Sequence, residues 1–132
     1  MKTASARPNL RHNQRADVDM EVQVCTTSGD QCSCATANLS RSGLLLKCDM
    51  ATVSQLLPHQ RPPVPGEWIE VTTRFSVPVV ASQKVAVEAQ GHIVHLRRVS
   101  RDEFHLGIQF KAIENNGYDY VDRYVSRLLG SH

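Results

Sequence analysis

The chain has 132 residues, enough for one domain with a modest core. Its 41% hydrophobic and 21% charged residues make an ordinary globular composition, and a formal net charge of +2 is too small to hold long DNA or RNA by overall charge. There is no apolar leader segment, and no apolar run approaches the roughly 20 residues that span a bilayer, so the expectation is a cytoplasmic protein without membrane insertion.

The N-terminus is the one place where charge is unbalanced. No acid lies between Met1 and Asp17, while Arg7, Arg11 and Arg15 recur at four-residue intervals. Residues 1–16 read as a flexible basic arm, because Met1 to Gln14 offers almost no apolar face.

From Val18 the chain alternates. Val18, Met20, Val22 and Val24 fall on one face and Asp19, Glu21 and Gln23 on the other, the signature of a half-buried strand. The turn signal Ser28-Gly29-Asp30 makes a hairpin of 18–27 and 31–37. Leu44-Leu45-Leu46 forms a third strand. Residues 49–65 hold Pro58, Pro62, Pro63 and Pro65 and exclude a regular strand, although residues 51–57 fit one helical turn. Alternation returns with Ile69, Val71, Thr73 and Phe75, and Trp68 beside them reads as an ordinary strand aromatic. The next strand carries Val85, Val87 and Ala89 on one face and runs to about His95, with Gly91 marking a bulge or bend. A polar turn at 97–103, rich in arginine, leads to Phe104, Leu106, Ile108 and Phe110 on a sixth strand. Its Arg97, Arg98 and Arg101 fit a solvated hairpin tip.

The last segment changes period. Tyr118, Val121, Val125, Leu128 and Leu129 recur at helical spacing, with Asn115 or Asn116 able to cap the start and Gly130 suited to the end. Acids early (Asp119, Asp122) and arginines late (Arg123, Arg127) suit the helix dipole. The predicted architecture is mainly β: a six-stranded antiparallel barrel over 17–114, closed by a C-terminal α-helix over 115–132 that packs on it.

Candidate chemistry is sparse. Cys25, Cys32, Cys34 and Cys48 are separated by six, one and thirteen residues, with no C-x-x-C pair, so they read as reduced strand residues rather than metal ligands or disulfides. His59, His92, His95 and His105 are scattered and no nucleophile elbow or phosphate-cradling loop is present, so no metal site, no cofactor and no enzyme activity are expected. Between the second and third strands stand Asn38, Ser40 and Gly43. Asn and Ser can both donate and accept hydrogen bonds, and glycine permits a positive φ or a close approach.

Arg11-x-x-x-Arg15 followed by Asn38-x-Ser40-x-x-Gly43 resembles the two-part signature of the PilZ domain, R-x-x-x-R and [D/N]-x-S-x-x-G. The resemblance extends over the alternating strand after Arg15, the segment 105–110 and the terminal helix. It implies a six-stranded PilZ-type barrel that acts as a receptor for the bacterial second messenger cyclic di-GMP, with Arg11, Arg15, Asn38, Ser40 and Gly43 at the ligand. The chemistry agrees. An arginine fork can pair with a phosphate, or with O6 and N7 of guanine, and can stack on a purine. In an extended segment Arg11 and Arg15 lie up to roughly 13 Å apart, enough to reach different parts of one ligand. Asn38 and Ser40 would complete the polar contacts, and Gly43 would keep the turn clear.

Leu10 stands where the family often has another cation, which implies one bound ligand rather than an intercalated pair. Arg7 continues the spacing outside the motif. His95 aligns with a strand position where some members stack an aromatic on guanine; a packed or solvated strand histidine is the other reading. Ordering of the arm on binding would signal to a partner protein, in a process such as motility, biofilm formation or virulence. Two rivals remain: a PilZ-like adaptor that has lost nucleotide binding, and a barrel for single-stranded nucleic acid. The latter is disfavoured because only 5% of residues are aromatic.

Overall fold

The computed structural model describes residues 16–17, 20–57, 68–80, 83–114 and 117–130. In chain order the elements are β1 (Ala16–Asp17), β2 (Glu21–Thr26), β3 (Gln31–Leu39), β4 (Gly43–Cys48), α1 (Met50–Leu56), β5 (Ile69–Val80), β6 (Gln83–Arg98), β7 (Phe104–Ile113) and α2 (Gly117–Gly130). Among the described residues, six strands close a ring in the order β3-β2-β5-β6-β7-β4, and the β3–β4 pairing completes it; every pairing is antiparallel. The expected barrel with its terminal helix is thus the observed fold.

Alternation decides which side chains enter the ring. Val22 and Val24 of β2 are fully buried, between the exposed Glu21 and Gln23. Val71, Thr73, Phe75 and Val77 of β5 and Phe104, Leu106 and Ile108 of β7 behave alike. The buried Thr73 hydroxyl donates to the carbonyl of Ala89 at 3.0 Å, so its polar group is satisfied inside the core. The first strand is shorter than the alternation suggests. β1 and β2 both lie along one edge of β3, the pairing advancing from Asp17↔Asn38 to Glu21↔Ala35. Thr36, fully buried opposite this break, bonds the carbonyl of Met20 through both its N–H and its hydroxyl. Val18 and Asp19 lie outside the described residues, as do the four prolines at 58–65 and the candidate caps Asn115 and Asn116.

The helical turn expected at 51–57 is a seven-residue helix, capped by Asp49, whose carboxylate accepts from the N–H of Thr52 at 2.8 Å. Its Val53 and Leu56 join the core. Helix α2 buries Gly117, Val121 and Val125 and lies against β5 and β6. Tyr118 departs from the predicted stripe, with 42% of its surface exposed. Gly117 takes the inward position of that turn, in contact with Ile113 and Val87, and the next residue, 100° round the helix, faces outward. All four cysteines are free. Cys34 and Cys48 meet across β3 and β4 with sulfurs 3.6 Å apart. The hydrogen bond from Cys48 holds the Cys34 thiol below its usual range, while donating that bond, together with burial, pushes Cys48 up.

Candidate functional site

The segment between β3 and β4 is a tight loop built around Ser40. That side chain is fully buried, and its oxygen accepts from the N–H groups of Ser42 and Gly43, both at 3.2 Å. The Ser40 N–H in turn donates to the Gly43 carbonyl at 2.9 Å. Ser40 therefore holds the loop's shape from within instead of presenting a hydroxyl to solvent. Gly43 has a different reason from the expected one. Its φ is not positive, and a Cβ there would run into the backbone carbonyl of Ile108 on β7. The close approach is to the neighbouring strand, which the lack of a side chain lets lie tight against β4.

Asn38 reaches the outer surface through a register slip. Along β3 the inward residues are Cys32, Cys34 and Thr36, so strict period two would turn Asn38 inward. Ala37 is an extra residue, because Thr36 pairs with Leu46 and Asn38 with Leu45. This bulge flips Asn38 to the face it shares with Leu45. The same device acts on β6. Ile93 is buried and pairs with Ile108, then Val94 is skipped and His95 pairs with Gly107. The extra residue turns His95 outward.

These two bulges align one lateral row across the outer face: Asn38 on β3, Leu45 on β4, Gly107 on β7 and His95 on β6. Asn38 and His95 are three strand spacings apart, about 14 Å. In the middle of the row Gly107, which has no side chain, is buried beneath the side chain of His95, and Leu45 is half-buried. A parallel row holds Gly43, Gln109 and His92, and on the other side Lys47, His105 and Arg97 stand in line. The result is a shallow shelf with polar, imidazole and cationic borders. It offers hydrogen bonds, stacking surface and positive charge. Among the described residues it has no activated nucleophile and no group of His, Cys, Asp or Glu able to hold a metal ion.

β1 delivers the N-terminal segment to the same place. Asp17 pairs with Asn38 and Ala16 with Leu39. Arg15 immediately precedes Ala16 in the chain. Arg7, Leu10, Arg11 and Arg15 themselves lie outside the described residues. The structure thus brings Asn38, Ser40 and Gly43 together and sets His95 on the row of Asn38.

Sequence reading missed Arg41. Only 5% of its side chain is exposed; Nε donates to a carboxylate oxygen of Asp122 and a terminal nitrogen donates to the hydroxyl of Ser126, both on α2. Arg41 occupies an unspecified position of the motif, and its partners lie more than 80 residues away. Nothing local in the sequence marks it.

A profile of the PilZ domain matches residues 9–127. No curated protein sequence matches the chain. Among solved structures, the Bacillus subtilis inhibitor of motility MotI/DgrA is similar over 89% of this chain and 50% of its own, with TM-score 0.68 and 12% identity. The Borreliella burgdorferi PlzA protein in complex with c-di-GMP is similar over 96% of this chain and 54% of its own, at TM-score 0.64 and 10% identity. The PilZ domain with c-di-GMP of Escherichia coli YcgR matches over 89% and 90%, at TM-score 0.56 and 10% identity. The chain spans about half the length of MotI and PlzA.

Proposed function

The chain belongs to the PilZ domain family, and on that premise we propose that it is a receptor for cyclic di-GMP and acts through a partner protein, not as an enzyme. Arg11 and Arg15 clamp the ligand's phosphates and guanine edges from the arm, and Asn38 supplies the outward amide of the second motif. Ser40 and Gly43 act through the loop's shape. A guanine lies over the shelf, against the exposed His95 ring that covers Gly107 and beside Leu45; Arg7 and Leu10 are outer contacts. The observation that supports this reading is the pairing of Ala16 and Asp17, the residues that follow the first motif, with Leu39 and Asn38 of the second. The c-di-GMP complexes of PlzA and the YcgR PilZ domain, similar in fold, support the choice of ligand. Closure of the arm over the nucleotide is the signal, and the motility inhibitor among the structural neighbours makes motility the first output to assay. A cytoplasmic location follows from the proposed ligand; no helix among the described residues is long and apolar enough to cross a membrane.

Calorimetric titration of cyclic di-GMP, with Arg15→Ala alongside, tests the proposal. Micromolar or tighter binding by the parent, lost in the variant, is the expected result. No binding by the parent overturns the receptor reading and leaves an adaptor that works through protein contacts alone.

A further inference from the structure

The loop at 38–43 is fastened at two ends of the barrel wall. On one side the N–H of Phe110 on β7 donates to the Ser42 carbonyl at 2.8 Å. On the other, the Arg41 fork grips Asp122 and Ser126, which stand one turn apart on α2 and so present both acceptors on one stripe. The planar guanidinium reaches both at once, as a lysine's point charge does not. Lys111 borders the same 340 Å³ groove as Arg41 but pairs with Glu70 at 3.6 Å. Helix α2 is held again farther along, where Arg127 donates to the carbonyl of Pro78 at 2.7 Å.

We propose that Arg41 is a positioning residue that couples the nucleotide loop to α2, so that ligand at 38–43 is felt at 117–130 and a partner gripping α2 alters nucleotide affinity by the same factor. The reciprocity is thermodynamic: two sites sharing one element bias each other equally. The ligand half of this inference rests on the receptor reading above; the mechanical tie between loop and helix does not.

The experiment compares the full chain with Asp122→Asn and Arg41→Lys by amide hydrogen exchange, with and without saturating cyclic di-GMP, and by calorimetric titration. Urea midpoints establish that each variant is folded, and Asp122→Asn, at a 44% exposed side chain, is the gentler change. In the parent, ligand slows exchange across 117–130. In both variants that response is lost and Kd weakens by about 5- to 20-fold, within the range of ordinary allosteric couplings. An unchanged α2 response, or an unchanged Kd, overturns the coupling. If the parent binds no cyclic di-GMP the receptor reading fails, and the tie is read without ligand. Asp122→Asn then speeds exchange at the Ser42 and Gly43 amides while leaving the distant 99–103 turn as it was. Equal exchange at those two amides in parent and variant overturns the tie.

Discussion

Two of the connections in this barrel are built from the same residue types, and they end up in opposite physical states. The β3–β4 loop reads Ser40-Arg41-Ser42, and the β6–β7 turn carries Arg98, Ser100 and Arg101. In the first, Ser40 and Arg41 are both buried, and the bonds run to the loop's own backbone, to β7 and to α2. In the second, Arg98 donates to the carbonyls of Ser100 and Arg101 at 3.0 and 2.7 Å and lies over the ring of Phe104, while Val99 beside it stays 47% exposed. The contacts of Arg98 reach no farther than a few residues, and the turn's longer tie comes from Asp102, whose carboxylate accepts from the Met50 N–H at 3.1 Å. A guanidinium is buried where a distant element supplies a carboxylate and a hydroxyl, and otherwise stays at the surface, because desolvating an unpaired charge is too costly. The arginine of the first loop is therefore tied to a distant helix, whereas that of the second is held by its own turn.

The contrast is broken most sharply at Gly43. Gly43→Ala places a methyl against the backbone of Ile108, which cannot move aside as a flexible side chain would. The expected loss is about 3 kcal/mol, the upper part of the range for overpacking, read as a lower urea midpoint at unchanged slope. A midpoint within error of the parent would mean that β4 and β7 can separate there without cost, and the loop would then be no more constrained than the turn.

Arg41→Ala comes next. Breaking a buried pair ordinarily costs several kcal/mol, but Asp122 is partly solvated and regains water, so about 2 kcal/mol is expected. Ser40→Ala is smaller, at about 1 kcal/mol, since the N–H groups of Ser42 and Gly43 lose a shared neutral acceptor but no charge is left unpaired. The two variants sharpen the comparison differently. Combined in one chain, their effects should fall short of the sum, because both act on one three-residue loop. Simple additivity would mean that the serine frame and the arginine tie work independently.

The legible part of this protein is its inward face. Period-two alternation located Val22, Val24, Val71, Phe75, Leu106 and Ile108, all of them buried, since a one-residue slip would have exposed an entire apolar set. The motif positions were legible as residue types, but their facing was not. Asn38 and His95 point outward only because Ala37 and Val94 are extra residues, and neither alanine nor valine announces a bulge. Gly91 did announce one, at a register slip whose extra residue, Lys111, belongs to the opposite strand. Arg41 was hidden for another reason. Its burial depends on where a helix 81 residues later settles against the barrel, and no local pattern carries that information.

The smallest expected effect tests the other half of the comparison. Arg98→Ala removes two hydrogen bonds to exposed carbonyls, which water replaces, and one cation–ring contact at 5.4 Å from the Phe104 centroid. Exposed contacts of this kind contribute little individually, so the urea midpoint should move by no more than about 0.5 kcal/mol equivalent. The turn also keeps its backbone closure, in which the N–H groups of Val99 and Ser100 donate to the Glu103 carbonyl at 2.8 and 3.1 Å, and these bonds are independent of residue 98's side chain. A loss approaching that of Arg41→Ala would mean that Arg98 supports Phe104, itself buried at the end of β7, and that this turn too is a structural anchor. Unchanged nucleotide affinity in Arg98→Ala, measured beside a weakened Arg41→Lys, would separate the arginine that positions the loop from the one that merely decorates a hairpin.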